Sequence, residues 1–225
     1  MNDFNTPTEP KLLSLLKFEI TSIIGRFFLK RKGKFNPKRS PYLIDVGAGE
    51  NYTDGWIHVD FYKNIFAKRR KNRLKSRRPE IETDLRFPLD CHNSVADGIY
   101  SGHFIEHLYP NQAHKLLEEL YRILKPGCWL RINVPDLRLY VDFYTGKNSL
   151  FPFKYKAEAI GNLTQNFGHH SVWDEELLAA ALESKGFVNI KKVEFGKEGS
   201  DTRLIKEQEI RKIETLVMEA QKPAL

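Results

Sequence analysis

The sequence predicts an α/β domain, doubly wound around a mostly parallel seven-stranded sheet and preceded by an amphipathic helix. Three observations predict it. From Tyr42 onward, short apolar runs alternate with segments of helical period. The first of these runs ends in a glycine turn, Gly47-Ala48-Gly49. Ahead of it, residues 11–29 carry apolar side chains at helical spacing. Strands alternating with helices imply parallel pairing with helices against both faces. Ligands of such sheets bind beyond the carboxyl ends of the strands, where strand order reverses, so the chemistry is expected just after strands.

Residues 1–41 are read as a polar tail, the amphipathic helix and a linker, and residues 42–222 as the domain. In the helix, Leu12, Leu13, Leu16, Ile20, Ile23, Ile24, Phe27 and Phe28 fall on one broad face, while Leu15, Phe18 and Leu29 lie off it. Gly33, Pro37 and Pro41 mark the linker. Tyr42–Val46, Trp56–Phe61, Ile81–Leu85, Ala96–Ser101 and Cys128–Val134 are the first five strands. Asn111–Leu124 is a helix with Leu116, Leu117, Leu120 and Ile123 on one face, stopped by Pro126-Gly127. Asp136 caps a helix that runs toward Tyr144. Residues 145–170, rich in Gly, Asn and aromatics, read as a long variable loop with some helix. Asp174–Lys185 is a helix ended by Gly186, and Val188–Phe195 and Ile213–Ala220 are the closing strands.

A hydrophobic fraction of 41% among 225 residues supports a real core and excludes global disorder. Cys91 and Cys128 are the only cysteines and no motif pairs them, so a reduced, cytoplasmic protein is expected. Lys17, Glu19 and Arg26 interrupt the first apolar stretch and argue against a membrane span. The net charge of +7 is concentrated: residues 68–78 hold eight basic residues and no acidic one. Such a run predicts attraction to phosphates or anionic lipid. With no aromatic residue interleaved, it makes nucleic acid a disfavoured partner.

The strand ends carry the polar groups. Asp45 precedes the glycine turn, which lets the backbone approach a ligand closely. Asp60 ends the second strand and Asp84-Leu85 the third. The third glycine of the dinucleotide fingerprint is replaced by Tyr52, which argues against a nicotinamide enzyme. Leu124-Lys125-Pro126-Gly127 followed by Leu130-Arg131-Ile132-Asn133-Val134-Pro135-Asp136 resembles the "LKPGG-strand" signature of small-molecule methyltransferases, with Cys128 replacing the second glycine. Taken in order, the set resembles the methyltransferase-11-like superfamily of class I S-adenosylmethionine-dependent methyltransferases. It is most similar to a bacterial subgroup with "GWINVD", "SSHVLEHL" and "LRIVVPDL" motifs. The near-matches here are Gly55–Asp60, Ser101–Leu108 and Leu130–Leu137, and the resemblance spans Tyr42 to Lys222.

That resemblance implies S-adenosyl-L-methionine as cofactor. Asp45 would face its ammonium group, Gly47 and Gly49 would let the backbone approach it closely, Asp60 would face its ribose hydroxyls, and Asp84 and the Leu85 amide its adenine edge. A capping role for each carboxylate is the alternative. His103, at the exit of the fourth strand, is the first candidate for a base that removes the acceptor proton, and His169 the second. A structural histidine is the alternative for His103. The activity implied is O-methylation of a small molecule or a sugar or surface-polysaccharide precursor. Rival readings are a degenerate, membrane-associated binding module and an RNA methyltransferase. His103-Phe104-Ile105-Glu106-His107 also matches the H-x-x-E-H pattern of zinc proteases. Zinc would require both histidines on one helix and a third ligand, and the segment follows an apolar strand, so no metal is expected. Finally, residues 11–32 are expected to lie on an anionic membrane surface, placing the protein peripherally on the inner face; a cap over the cofactor is the competing role.

Overall fold

The computed structural model describes residues 11–28, 41–62 and 78–224. The basic run lies outside these residues except for Arg78. Five parallel strands, β1 (Leu43–Val46), β2 (Ile57–Asp60), β3 (Ile81–Glu82), β4 (Gly98–Gly102) and β5 (Trp129–Pro135), are completed by β6 (Val188–Val193) and β7 (Thr215–Gln221). The spatial order is β3-β2-β1-β4-β5-β7-β6, with β7 antiparallel to both its neighbours. Strand order therefore reverses between β1 and β4, and a crevice opens at their carboxyl ends.

The helices are α1 (Leu12–Phe28), α2 (Pro110–Ile123), α3 (Leu137–Tyr144), α4 (Lys156–Gln165) and α5 (Glu175–Glu183). Their ends follow the sequence signals. Pro110 opens α2 at its first turn, and Asp136 caps α3 by accepting the Arg138 amide at 3.0 Å. Asp174 caps α5 through the Leu177 amide at 2.8 Å, and Gly186 follows it with φ +92°. Alternation along the strands divides the sheet into two unlike faces. Ile44, Val46, Ile99, Leu130, Ile132 and Val134 join Leu116, Leu117 and Leu120 of α2 and Leu178 and Leu182 of α5 in the main core. Leu43, Tyr100 and Trp129 pack with Trp56 and Leu204 in a second, smaller cluster. Leu204 belongs to the long segment between β6 and β7, which folds back over that face.

The ten residues between Gly49 and Asp60 are too few for the usual crossover helix. They run as turns, with the Thr53 amide donating to His58 Nε2 at 2.9 Å. A third cluster, Tyr140, Phe143, Phe151, Ala159 and Leu163, ties α3 to α4 beyond the end of β5.

Candidate active site

The β1 turn is shaped by its two glycines. Gly47 and Gly49 have φ of +74° and +59°, a region costly for residues with a Cβ. The Gly47 amide donates to Val59 O at 2.9 Å, holding the turn against β2. The Gly49 amide donates to Asp60 Oδ2 at 2.7 Å and the Phe61 amide to Asp60 Oδ1 at 2.6 Å, so the carboxylate is oriented by backbone on both oxygens. The Phe104 ring lies directly on Gly47: an added Cβ would fall 2.2 Å from its Cγ. Around this turn is a cavity of about 200 Å³, lined among others by Asp45, Gly47, Gly49, Tyr100, His103 and Asn133. A second, of about 530 Å³, is lined by Leu15, Phe18, Phe61, Asp84, Leu85, Phe104 and His170 among others. Gly47 of the first cavity and Phe104 of the second are in contact with each other.

Beneath the first cavity the strands carry a buried polar row. Asp45 accepts a short hydrogen bond from Lys206, whose Nζ lies 4.5 Å from the Trp56 ring centroid. Burial pushes the Asp45 carboxyl up, partly opposed by the Lys206 charge. Asn133 Nδ2 donates to Tyr100 Oη at 3.0 Å, and burial pushes the Tyr100 hydroxyl up. Arg131, fully buried, donates to Glu207 and, at 2.8 Å, to Glu219. Lys206 and Glu207 come from the β6–β7 segment, in which the sequence reading found no functional residue. Trp129, Arg131 and Asn133 alternating with Leu130, Ile132 and Val134 was the available signal for a polar face on β5.

The second cavity is roofed by α1. Ser22 donates to Asp84 Oδ2 at 2.5 Å, and Arg86 bridges Asp84 to Glu19, with Nη2–Oδ2 and Nη1–Oε1 distances both 2.7 Å. Phe18 stacks on Phe61 with centroids 4.4 Å apart. Burial opposes ionisation of Asp84, but the hydrogen bonds from Arg86 and Ser22 outweigh it and hold the carboxyl below its ordinary value. Asp84 is thus engaged with α1 and Arg86, and Asp45 with Lys206, while Leu85 lines the second cavity.

The histidines separate by position. His103 has φ +50° and lines the first cavity. Its Nε2 is 2.8 Å from Thr215 Oγ1, and its Nδ1 is 3.4 Å from Glu106 Oε1. Thr215 Oγ1 itself donates to Arg211 O at 2.6 Å, so His103 Nε2 is the donor in that contact. His169 stands elsewhere: its Nδ1 donates to Leu163 O at 2.7 Å and its ring meets that of His107. It is His170, stacked on Tyr109 with centroids 4.2 Å apart, that lines the second cavity. Residues Ile105–His107 form a 3-10 turn, so His103 and His107 do not share the α-helix that a zinc-protease pattern needs. Glu106, His107 and His169 nevertheless bring ligand atoms to within 4.8 Å of one another, the place among the described residues where a divalent metal could be held.

Residues 44–132 match the family model described as "Methyltransferase domain". The match runs from β1 into β5. No curated protein matches the chain. Among solved structures, a SAM-dependent methyltransferase, possible histamine N-methyltransferase, from Thermotoga maritima superposes with a TM-score of 0.51 at 17% identity, covering 92% of this chain and 96% of that one. A SAM-dependent methyltransferase from Archaeoglobus fulgidus gives 0.48 at 18% identity, covering 95% and 100%. Another from Mesorhizobium loti gives 0.48 at 15%, covering 80% and 90%. The first of these carries the fold comparison.

The Thermotoga maritima structure that shares this fold is of a SAM-dependent methyltransferase, so the site is compared with what S-adenosylmethionine needs. The residues present fit that cofactor. In front of Gly49 there is open space, with nothing within 4 Å of a built Cβ. The second cavity sets Phe18, Phe61 and Phe104 around a space suited to a flat aromatic base. When bound, S-adenosylmethionine supplies an electrophilic methyl group on a sulfonium. The chain would hold it with the Gly47–Gly49 turn, the oriented carboxylate of Asp60 and the cavity beside Leu85. Phe104 and Arg86 line the second cavity, Lys206 and Ser22 brace Asp45 and Asp84, and none of the four was singled out in the sequence. Only Phe104 sat inside a motif already noted.

Proposed function

We propose that the chain is an S-adenosylmethionine-dependent methyltransferase that transfers the methyl group to a hydroxyl, on a small molecule or a sugar or surface-polysaccharide precursor, with His103 as the general base. The observation that carries this is the placement of His103 in the cavity of the glycine turn, with an acceptor beside each ring nitrogen. Thr215 Oγ1 receives the proton on Nε2, and the buried Glu106 carboxylate, whose oxygens accept no hydrogen bond among the described residues, lies beside Nδ1. With the Nε2 proton engaged by Thr215, Nδ1 is left as the nitrogen that can take the acceptor's proton. The remaining work of the chain is positioning and exclusion of water. The choice of a sugar-like acceptor rests on the sequence resemblance.

Radiolabelled methyl transfer from S-adenosylmethionine, offered to hydroxylated small molecules and nucleotide sugars on one side and RNA on the other, tests the reading. Label in a hydroxyl acceptor is expected. His103→Ala should then lower turnover by about 10²–10⁴-fold with S-adenosylhomocysteine affinity unchanged. Label confined to RNA, or full turnover by the variant, would overturn it.

A further inference from the structure

Helix α1 is docked in an orientation that its sequence pattern makes unexpected. The residues that bury against the domain are Thr21, Ser22 and Gly25. Gly25 fits flat on Tyr62, whose ring would lie 2.2 Å from an added Cβ. Leu15 and Phe18, the two side chains that blur the apolar face within α1, are the ones lining the second cavity. The apolar face itself points the other way. At 100° per residue, Leu12, Leu13, Leu16, Ile20, Ile23 and Phe27 centre opposite the Phe18–Ser22–Gly25 stripe. They are exposed, Leu13 by 79% and Phe27 by 67%.

Burial against this domain therefore does not explain the face. A contiguous exposed apolar strip of this kind marks an interaction surface. Its charge says which one. Residues 11–32 carry six basic side chains, Lys11, Lys17, Arg26, Lys30, Arg31 and Lys32, against one acid, Glu19. Glu19 is already neutralised by Arg86 at 2.7 Å. An apolar helical face in a segment with this excess of basic residues is complementary to an anionic bilayer surface, in which the helix lies in the interface plane. No helix among the described residues is long and apolar enough to cross a membrane.

We infer that α1 is a two-sided element: its outer face docks on anionic phospholipid while its inner stripe closes the adenine side of the cofactor site, so that membrane contact and cofactor binding strengthen each other. The coupling follows from the contacts. Ser22–Asp84, Glu19–Arg86 and Phe18–Phe61 are the links between helix and cavity. A surface that immobilises α1 in this pose reduces the ordering that cofactor binding must otherwise supply. Linkage makes the effect reciprocal: cofactor that holds the roof closed must raise affinity for the bilayer by the same factor. The inference rests on the second cavity being part of the cofactor site.

The test uses the full chain, with S-adenosylhomocysteine binding measured in solution, with phosphatidylcholine vesicles, and with vesicles containing phosphatidylglycerol. Flotation at low and high salt is measured in parallel. Expected are flotation with the anionic vesicles only, weakened by salt, and tightening of S-adenosylhomocysteine by about 5–150-fold. The triple variant Leu13→Gln, Leu16→Gln, Phe27→Gln, all exposed and outside the cavity linings, should keep its affinity in solution and lose both flotation and tightening. Ser22→Ala with Glu19→Gln should float but lose the tightening. Failure to float sinks the membrane surface, and flotation with unchanged affinity sinks the coupling. Self-association without lipid, lost in the triple variant, would assign the face to a second copy and also overturn the inference. Absence of any S-adenosylhomocysteine binding, with flotation intact, would instead refute the cofactor reading beneath it.

Discussion

Gly47→Ala should be far more damaging than the same change two residues on. At Gly47 two penalties coincide. The φ of +74° costs a residue with a Cβ about 1–2 kcal/mol. The new methyl would also lie 2.2–2.5 Å from three atoms of Phe104, and such overpacking typically costs ~1–3 kcal/mol. Together these predict a loss of about 2–5 kcal/mol, taken as lower stability or as a displaced Phe104 ring that reshapes the cofactor cavity. At Gly49 only the backbone penalty applies, because nothing lies within 4 Å of a built Cβ. The difference between the variants isolates the Phe104 contact. Urea unfolding of Gly47→Ala, Gly49→Ala and Gly47→Ala/Phe104→Ala measures it, with S-adenosylhomocysteine titrations on each folded protein. The double variant should recover part of the packing loss relative to the sum of its single changes. Equal stabilities of the two glycine variants, with additive behaviour of the double one, would refute the reasoning.

Arg131→Ala leaves the buried carboxylate of Glu207 without its cation and Glu219 with only Lys191 at 3.8 Å, and breaking such a pair costs about 3–5 kcal/mol in unfolding measurements. Asp84, held below its ordinary carboxyl value of 3.8, contributes stability above that pH and loses it as pH falls through its folded value. Hydrogen-exchange protection of α1 should therefore be constant at neutral pH and fall below pH 3.8, and Asp84→Asn should flatten that dependence. Gly25→Val, which drives a side chain into the Tyr62 ring, should release α1 and weaken S-adenosylhomocysteine binding without unfolding the sheet, read by calorimetry and far-ultraviolet circular dichroism.

The sheet and its order of elements were legible because buried strands are short, apolar and punctuated by glycine, proline and acidic caps, all of which are local signals. That the candidate residues share one edge was legible for the same reason: topology places Asp45, Gly47, Gly49, Asp60 and Leu85 together wherever such strands run parallel. What escaped notice is long-range. Lys206 reaches Asp45 across 161 positions, and Ser22 reaches Asp84 across 62. Nothing in the local pattern of either lysine or serine announces its partner. The orientation of α1 escaped because periodicity identifies an apolar face without saying what it faces. Its small-residue stripe, Thr21-Ser22 and Gly25, was the counter-signal, since close helix docking needs small side chains.

The central claim is that this fold holds S-adenosylmethionine in the crevice between the Gly47–Gly49 turn and the roof formed by α1. Isothermal titration of the full chain with S-adenosylhomocysteine tests it most directly. The account predicts saturable one-to-one binding that is weakened by Gly47→Ala and left intact by His103→Ala. Absence of binding by the folded parent protein, or binding insensitive to Gly47, would contradict it.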